Sequence, residues 1–355
     1  MEQLKKEVQV KILKESLNFT ATKEEFLNIL RQVSPGTNIR TAIEGIVKSQ
    51  KGALIVVENS LVNQILDGGF KINARFTPQK LMELSKMDGA IILSKDMKRI
   101  NYSNVTLTPE TKIPSNETGT RHKSAERTAK MAGTLVIAVS EKRHEITIYY
   151  KDIRYNLRET SEISRRATET LHILEKQREL FDEYLAKLNE VELSNEISLD
   201  QACKVIQKGK VMEKILKSQE KTLIELGKEG EALKLRIKEL MHGVEKETDL
   251  VIKDYTNLSL KKTRSLMYNL TYEELINIKN ITVALAQKES NKLEEIKGWR
   301  LLSKTSLEEK EIAQIIASLN RLPSILNAPT EEYRKILSEE KANNFAKEIE
   351  KIKNN

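Results

Sequence analysis

The sequence predicts an α/β N-terminal domain with a mixed central sheet and flanking helices, followed by an all-α spine and a small all-α C-terminal domain. Short β-rich runs alternate with helical patterns over residues 20–155. No proline occurs in residues 156–295, where apolar residues recur three or four positions apart. The last helical patterns are broken by Pro323 and Pro329. We therefore expect domains at residues 1–155, 156–295 and 296–355.

In the first domain, strands are predicted at four apolar runs, residues 53–57, 90–93, 134–139 and 145–150. Helices are predicted at residues 78–86 and 120–131. Pro78 suits a first helical position, and Gly133 is placed to end the second helix. Strands that alternate with helices predict a layered domain with a largely buried sheet. In the spine, Gly227 and Gly230 predict a turn between two helices.

Composition narrows the class of protein. The chain has 355 residues, of which 32% are charged and 5% aromatic, a mix typical of long solvated helices. Its net charge of +8 permits a polyanionic partner without proving one. Cys203 is the only cysteine, which excludes an internal disulfide framework or a multi-cysteine zinc site. No apolar run approaches about 18 residues and residues 1–7 lack the apolar core of a secretion signal, so we expect a cytoplasmic protein without a membrane partner.

The first candidate site residue is Asp88, which with Gly89 predicts a tight turn directly before the strand at residues 90–93. In one interpretation, Asp88 only caps this turn. In the other, it is a carboxylate at the rim of the sheet, beside a glycine that lets a ligand approach the backbone. Such a carboxylate can hold a divalent cation bound to phosphates, or activate a hydroxyl.

The second candidate is the start of the helix at residue 120. With Thr120 as the N-cap, Arg121, His122 and Lys123 fall in the first turn, although a helix N-terminus prefers Asp or Glu. Backbone N–H groups, these side chains and the hydroxyls of Thr120 and Ser124 together predict a phosphate cradle. The alternative is a solvated basic helix start.

Residues 104–109, between the two candidates, are interpreted as part of a loop long enough to cover a ligand. The chain contains no GxxxxGK[ST] run and no GxGxxG after a strand. These absences argue against a P-loop enzyme and against a dinucleotide Rossmann site.

Together these motifs carry a resemblance. Asp88-Gly89-Ala90 followed by Gly119-Thr120-Arg121-His122-Lys123 resembles the paired DGA and RHR motifs of the diadenylate cyclase family. The paired motifs in this order are specific, whereas either one alone is weak. The whole chain is similar to the family's DNA integrity scanning members, in which a cyclase domain precedes a helical spine and a C-terminal helix–hairpin–helix domain.

The resemblance implies that two ATP molecules become cyclic di-AMP and two pyrophosphates, with Mg²⁺ or Mn²⁺ as the metal. Asp88 would bind the metal and help to activate the attacking 3′-hydroxyl, and Arg121, His122 and Lys123 would hold phosphates. The residues it assigns to catalysis are Asp88, Arg121 and His122, and those it assigns to nucleotide binding are Asp88, Gly89, Leu107, Thr120, Arg121, His122, Lys123, Ser124 and Ser140. Because one site holds one ATP, two cyclase domains must face each other, and such members form homo-octamers through the spine.

Two departures from the family pattern stand out. Lys123 replaces the second arginine of the motif, which keeps the charge but loses the bidentate fork. In the C-terminal domain no glycine follows Gly298, and Glu339 and Glu340 lie where a hairpin would approach DNA phosphates. We therefore expect DNA binding to be weak or altered.

The main rival function is a DNA- or nucleotide-sensing scaffold with a weakened cyclase site. The enzyme is favoured by the intact Asp88-Gly89-Ala90 and Arg121-His122 motifs, whereas Lys123 is compatible with the rival function. A purely structural helical oligomer leaves the cationic helix start unexplained.

Overall fold

The computed structural model describes residues 20–194, 198–287 and 296–353. Residues 1–7, on which the expectation about secretion depends, lie outside this range. The chain divides into two compact units, the first Met1–Ala167 with Lys221–Ala232 and the second Thr168–Glu220 with Leu233–Asn355. The predicted domain boundaries near residues 155 and 295 stay predictions. Among the described residues, no helix is long and apolar enough to cross a membrane.

The first unit is built on an eight-stranded mixed sheet, which confirms the predicted fold class. Its order is β2-β5-β4-β1-β6-β7-β8, with β3 also paired to β5. β1 runs parallel to β4, whereas the other neighbours are antiparallel. The strands are β1 (Ala53–Val57), β2 (Leu66–Asp67), β3 (Phe70–Arg75), β4 (Ala90–Leu93), β5 (Arg99–Leu107), β6 (Val136–Val139), β7 (Ile146–Tyr150) and β8 (Ile153–Leu157).

Helices cover both faces of this sheet, so its central strands are apolar throughout. In β1, Ile55 packs on one face with residues of α1 (Lys23–Gln32), α2 (Asn38–Lys48) and α3 (Pro78–Leu84). The flanking Leu54 packs on the other face with alanines of α4 (Thr120–Ala132). Successive side chains of a strand point to opposite faces, which explains this division.

The predicted helix boundaries are largely confirmed. Pro78 occupies the first turn of α3, and Gly133 ends α4 in a left-handed conformation with φ of 59°. One prediction at α4 is wrong, because Gly119 is the N-cap and Thr120 is the first helical residue. The loop interpretation of residues 104–109 is also wrong for Asn104 through Leu107. Those residues lie in β5, where Val105 pairs with β4 and both Thr106 and Leu107 pair with β2.

The remainder of the described chain is helical, as predicted for the spine and the C-terminal part. Gly227–Gly230 forms a 3₁₀ turn between two of these helices, which confirms the turn expected there. The helices are α5 (Thr160–Leu193), α6 (Leu199–Glu225), α7 (Glu231–Met241), α8 (Val244–Tyr255), α9 (Leu260–Asn269), α10 (Tyr272–Ile276), α11 (Ile278–Ala284), α12 (Trp299–Leu302), α13 (Glu309–Leu319), α14 (Leu322–Asn327), α15 (Thr330–Arg334) and α16 (Glu339–Lys353).

A buried polar cluster fixes α12 within the second unit. Arg300 is fully buried and forms an ion pair with Glu192, which also accepts a hydrogen bond of 3.0 Å from the Tyr255 hydroxyl. The Asp254 carboxylate accepts hydrogen bonds from the backbone N–H groups of Trp299 (2.7 Å) and Arg300 (3.0 Å). These bonds satisfy the N–H groups that a helix leaves unpaired at its start.

The C-terminal stretch compared above with a DNA-binding hairpin is two helices joined by a short turn. Helix α15 ends at Arg334 and α16 begins at Glu339, and none of residues 335–338 has a positive φ. Glu339 and Glu340 are exposed in the first turn of α16, where negative charge complements the helix dipole. This turn therefore lacks the left-handed glycine geometry of a phosphate-binding hairpin.

Candidate active site

A cavity of about 860 Å³ lies in the first unit, where the start of α4 meets the β4, β5 and β6 ends of the sheet. It brings together most of the residues predicted from the sequence. Those that line it are Gly89, Leu107, Thr120, Arg121, His122, Ser124 and Ser140. The other two, Asp88 and Lys123, are not among its lining residues, although each is the neighbour of one.

The turn before β4 requires a glycine. Gly89 has a φ of +85°, and a Cβ there would lie 2.8 Å from the backbone carbon of Asn104 and 2.9 Å from the backbone nitrogen of Val105. The immediate reason for Gly89 is thus the close approach of β5. Asp88 is exposed, and its side chain makes no hydrogen bond or ion pair with any described residue. The structure therefore gives no support to the interpretation that Asp88 only caps the turn.

The start of α4 presents unpaired donors to the cavity. Its N-cap Gly119 provides no side-chain hydrogen bond, and its first turn contains no acidic residue. The backbone N–H groups of Thr120, Arg121 and His122 have no partner within the described ranges. A Cβ at Gly119 would meet no described residue within 4 Å, so within the described part of the chain the approach to these N–H groups is open. This arrangement suits an anion.

Arg121 is held in place by a glycine that was not predicted from the sequence. Its Nη1 lies 3.5 Å from the Val139 carbonyl oxygen. The guanidinium also packs on Gly52, where a Cβ would lie only 2.1 Å from Nη1. The only sequence signal for this contact is a glycine immediately before a buried strand. Gly52 thus fixes where the Arg121 charge lies.

His122 lines the cavity and belongs to a hydrogen-bond chain. It is 7% exposed, and its Nδ1 lies 2.9 Å from the Tyr149 hydroxyl. That hydroxyl donates to Glu117 at 2.8 Å, and the same carboxylate oxygen accepts from Nε of Arg154. Nε2 of His122 is buried and has no hydrogen-bond partner among the residues that the structure describes. Burial lowers the pKa of His122, and the nearby Arg143 and Arg121 lower it further against the opposing effect of Glu117.

Tyr149 and Glu117 were not predicted from the sequence. Tyr149 lies on the face of β7 that α4 covers, so a polar aromatic residue in a strand predicted to be buried is the signal that was available. Glu117 lies in the segment before α4. Glu126 anchors this segment by accepting hydrogen bonds from the Ser115 hydroxyl (2.5 Å) and the Asn116 backbone N–H (3.1 Å).

The remaining wall is the turn between β6 and β7. Ser140 is buried, and its Oγ accepts a hydrogen bond of 3.2 Å from the backbone N–H of Arg143. Lys142 and Arg143 are exposed and line the cavity. With Arg121 they make one side of the cavity cationic, with Glu141 as the opposing charge. Among the residues of this turn, only Ser140 was predicted from the sequence, and Glu141, Lys142 and Arg143 were not.

Two family models match the chain over most of its length. The model described as DisA bacterial checkpoint controller nucleotide-binding, abbreviated DAC, matches residues 40–153. The model described as DisA bacterial checkpoint controller linker region matches residues 157–294. All the residues that line the cavity lie within the first match.

Curated relatives are similar over nearly the full chain. The DNA integrity scanning protein DisA of Acetivibrio thermocellus is 38% identical over 318 residues, which cover 87% of this chain and 88% of that protein. The protein of the same name from Symbiobacterium thermophilum is 37% identical over 313 residues, 86% of this chain and 89% of that one. In Clostridium acetobutylicum, it is 33% identical over 338 residues, 93% of this chain and 95% of that protein.

Proposed function

The chain belongs to the family of DNA integrity scanning proteins DisA, and from this membership we infer its reaction. It is a diadenylate cyclase, a nucleotidyltransferase that condenses two ATP molecules into cyclic di-AMP and two pyrophosphates. The observation that best supports this reaction in the structure is the start of α4. Unpaired N–H groups and the Arg121 guanidinium face one cavity there, which suits the phosphates of a nucleotide.

We propose that this turn of α4 binds the phosphates. Arg121 and Lys123 supply charge, while the hydroxyls of Thr120 and Ser124 add hydrogen bonds. Phosphoryl-type transfer depends mainly on positioning and charge neutralisation, which these groups provide without covalent chemistry. Lys123 contributes charge without a planar fork, so its phosphate contact is less directional than that of an arginine.

The remaining predicted residues place the nucleotide. Gly89 lets the nucleotide pass close to the backbone at the entrance of β4, and Leu107 and Ser140 form parts of the wall. Asp88, beside Gly89, helps to activate the attacking 3′-hydroxyl. His122 is the third proposed catalytic residue, together with Asp88 and Arg121.

A divalent cation, Mg²⁺ or Mn²⁺, fits this site as a companion of the nucleotide. The described residues contain no group of three or more His, Cys, Asp or Glu side chains that could hold a metal by themselves. Mg²⁺ is commonly bound through one or two carboxylates together with substrate phosphates, and Asp88 is an exposed, unpaired carboxylate. When bound by Asp88, the cation would neutralise charge on the phosphates.

The reaction requires more than one copy of the chain. Each cavity takes one ATP, and each 3′-hydroxyl attacks the α-phosphate of the other nucleotide. We propose that two cyclase domains face each other, within a homo-octamer assembled through the spine. The working compartment proposed for this enzyme is the cytoplasm.

DNA regulation is a separate question from catalysis. The turn at residues 335–338 has no left-handed residue, and Glu339 and Glu340 stand beside it. We propose that this end of the chain binds DNA weakly or in an altered way, because acidic side chains repel phosphates. A scaffold that senses DNA or nucleotides through a weakened cyclase site is the alternative function, and the observation that favours it is Lys123.

The test is direct. Purified full-length protein is incubated with ATP and either Mg²⁺ or Mn²⁺, and products are resolved by mass, for wild type beside Asp88→Asn. Because Asp88 is exposed and unpaired, the variant should fold as the wild type does. Cyclic di-AMP from the wild type alone supports the cyclase and the role of Asp88. No product with either metal from an intact oligomer would favour the scaffold, and equal product from both proteins would remove Asp88 from catalysis.

A further inference from the structure

The end of α6 packs within the first unit, although most of that helix belongs to the second. Residues Lys221–Ala232 fall in the first unit, and Ile224 packs against the same core cluster as α2. In the turn that follows α6, Gly227 has a φ of +55°, and a Cβ there would lie 2.6 Å from the carbonyl oxygen of Pro35. Lys228 donates its backbone N–H to that same oxygen at 3.3 Å. The segment is thus fixed closely against the loop that precedes α2.

Glu225, the last residue of α6, accepts hydrogen bonds from the end of β8. Its side chain is 1% exposed, and it accepts from the Tyr155 hydroxyl at 2.8 Å and from Nη2 of Arg158 at 2.7 Å. Burial and the charge of Glu225 raise the pKa of Tyr155 to about 12, so the phenol keeps the hydrogen that it donates. Nζ of Lys221 lies 4.0 Å from the centroid of the Tyr155 ring. The end of α6 therefore holds the end of β8 by several contacts.

β8 is an edge strand of the sheet, where it pairs with β7. An edge strand has one row of backbone groups outside the ladder, so side-chain contacts on its faces contribute more to its position. Successive side chains alternate between the two faces, so Arg154 and Tyr155 point to opposite sides of the sheet. Tyr149, which is opposite Arg154 in the ladder, packs on the face that α4 covers. Arg154 consequently lies on the α4 side, and Tyr155 lies on the side of α6.

Arg154 connects this strand to the segment that leads into α4. Its Nε donates to a Glu117 oxygen at 2.5 Å, and the Tyr149 hydroxyl donates to the same oxygen at 2.8 Å. Burial alone would raise the pKa of Glu117, but the hydrogen bonds from Arg154 and Tyr149 hold it below the usual value. The carboxylate thus stays ionised and keeps both donors. Because Glu117 lies just before the first turn of α4, a shift of β8 also shifts that turn.

We propose that Glu225 is a positioning residue for the candidate active site, because it fixes β8 and, through Arg154 and Glu117, the first turn of α4. The inference rests on the proposed function, in which this turn binds the phosphates of ATP. Glu225 lies within the linker-region match and outside the nucleotide-binding match. A residue of the linker region therefore sets how well the cyclase site holds phosphate.

The test compares Glu225→Gln with Glu192→Gln in the full-length protein. Both carboxylates are buried, and each pairs with an arginine and accepts a hydrogen bond from a tyrosine hydroxyl. Glu192 belongs to the second unit together with its partners Arg300 and Tyr255, so it is a matched control. For each protein we would measure the melting temperature, the Kd values of ATP and of inorganic tripolyphosphate, and the kcat and KM of cyclic di-AMP formation.

Both variants should have a lower melting temperature than the wild type, because each removes a buried carboxylate that pairs with an arginine. Only Glu225→Gln should bind ATP and tripolyphosphate about tenfold more weakly, which is within the range of coupling between separate sites. Its KM should rise by a similar factor with a smaller change in kcat, because the displaced turn already binds phosphates in the ground state. Glu192→Gln should keep the wild-type Kd and KM values.

A double-mutant cycle with Arg154→Met tests the route from Glu225 to α4. Arg154→Met alone should weaken tripolyphosphate binding, and adding Glu225→Gln should weaken it by less than about twofold more. Losses that add in full would overturn the inference, and so would wild-type tripolyphosphate binding by a folded Glu225→Gln variant.

If Glu225→Gln does not fold, Tyr155→Phe decides by the same criteria, because it removes one hydrogen bond and keeps the carboxylate. If the wild type binds tripolyphosphate but makes no cyclic di-AMP, the proposed reaction fails by itself, and the binding comparison still decides the role of Glu225. If the wild type binds neither ATP nor tripolyphosphate, the inference fails as well.

Discussion

Replacing Gly52 with alanine should displace Arg121 while leaving the fold in place. A Cβ at residue 52 would lie 2.1 Å from Nη1, 2.6 Å from Cζ and 2.9 Å from Nη2 of Arg121. Non-bonded heavy atoms need about 3.5 Å, so the guanidinium must move by more than about 1 Å. The obstructed atoms are the far end of a flexible side chain, and Gly52 is not among the glycines with positive φ. The backbone can therefore accept an alanine.

A misplacement of about 1 Å can cost about 100-fold in rate, equivalent to about 2.7 kcal/mol of transition-state stabilisation. We expect kcat/KM for cyclic di-AMP formation in Gly52→Ala to fall by about this factor. The free energy of unfolding should change by less than about 1 kcal/mol, as for a substitution that requires no backbone shift. Product formation by mass and chemical unfolding together measure the two quantities.

A double-mutant cycle tests whether the loss acts through Arg121. If Gly52→Ala only displaces that guanidinium, adding it to Arg121→Ala should cause little further loss of activity. The reasoning is refuted if Gly52→Ala keeps wild-type kcat/KM. It is refuted equally if the two losses add in full, since the effect would then not pass through Arg121.

Three further predictions concern stability. Gly89→Ala should lose about 2–4 kcal/mol of unfolding free energy, because φ is +85° and the β5 backbone obstructs the Cβ. Gly119→Ala, at a φ of −86° with open space, should lose less than about 1 kcal/mol. Equal losses for the two variants in urea unfolding would contradict this expectation. Arg300→Met should lose about 3–5 kcal/mol of unfolding free energy, because it leaves the buried Glu192 carboxylate unpaired. The matched change at the exposed Arg236, Arg236→Met, should lose less than about 1 kcal/mol. A small loss at Arg300 would contradict this prediction and show that the cluster relaxes. Burial raises the pKa of Asp254 from 3.8 to about 7, so the folded chain holds this proton at pH values where the unfolded chain has released it. The free energy of unfolding should therefore fall as pH rises from about 4 through 7. In unfolding measured at each pH, Asp254→Asn should flatten that slope.

Local chemistry in the sequence determined much of the fold. The runs at β1 and β4 were predicted with their bounds, because a strand covered on both faces must be apolar at every position. Pro78 and Gly133 marked the start and the end of their helices, because the ring of one fixes φ and the other tolerates a left-handed conformation.

Strand β5 was not predicted, because its sequence lacks the continuous apolar pattern of β1 and β4. Its sequence from Arg99 to Leu107 is largely polar, and the segment becomes a strand because it completes hydrogen bonds with β4 on one side and with β2 and β3 on the other. Such pairing joins segments that lie far apart in the sequence, so a local pattern carries little trace of it.

The same division holds for the candidate site. The sequence by itself offered Asp88-Gly89 and the cationic start of α4 as two candidates, of which the second breaks a local rule, and the resemblance to the paired cyclase motifs predicted that they serve one chemistry. Only the tertiary structure decided what holds these residues in place. Gly52 makes room for Arg121, and Tyr149 and Glu117 form a hydrogen-bond chain with His122. The reason is physical: van der Waals contacts and hydrogen bonds act over a few ångströms in space, and these partners are 27 or more residues apart along the chain, except for Glu117 beside α4.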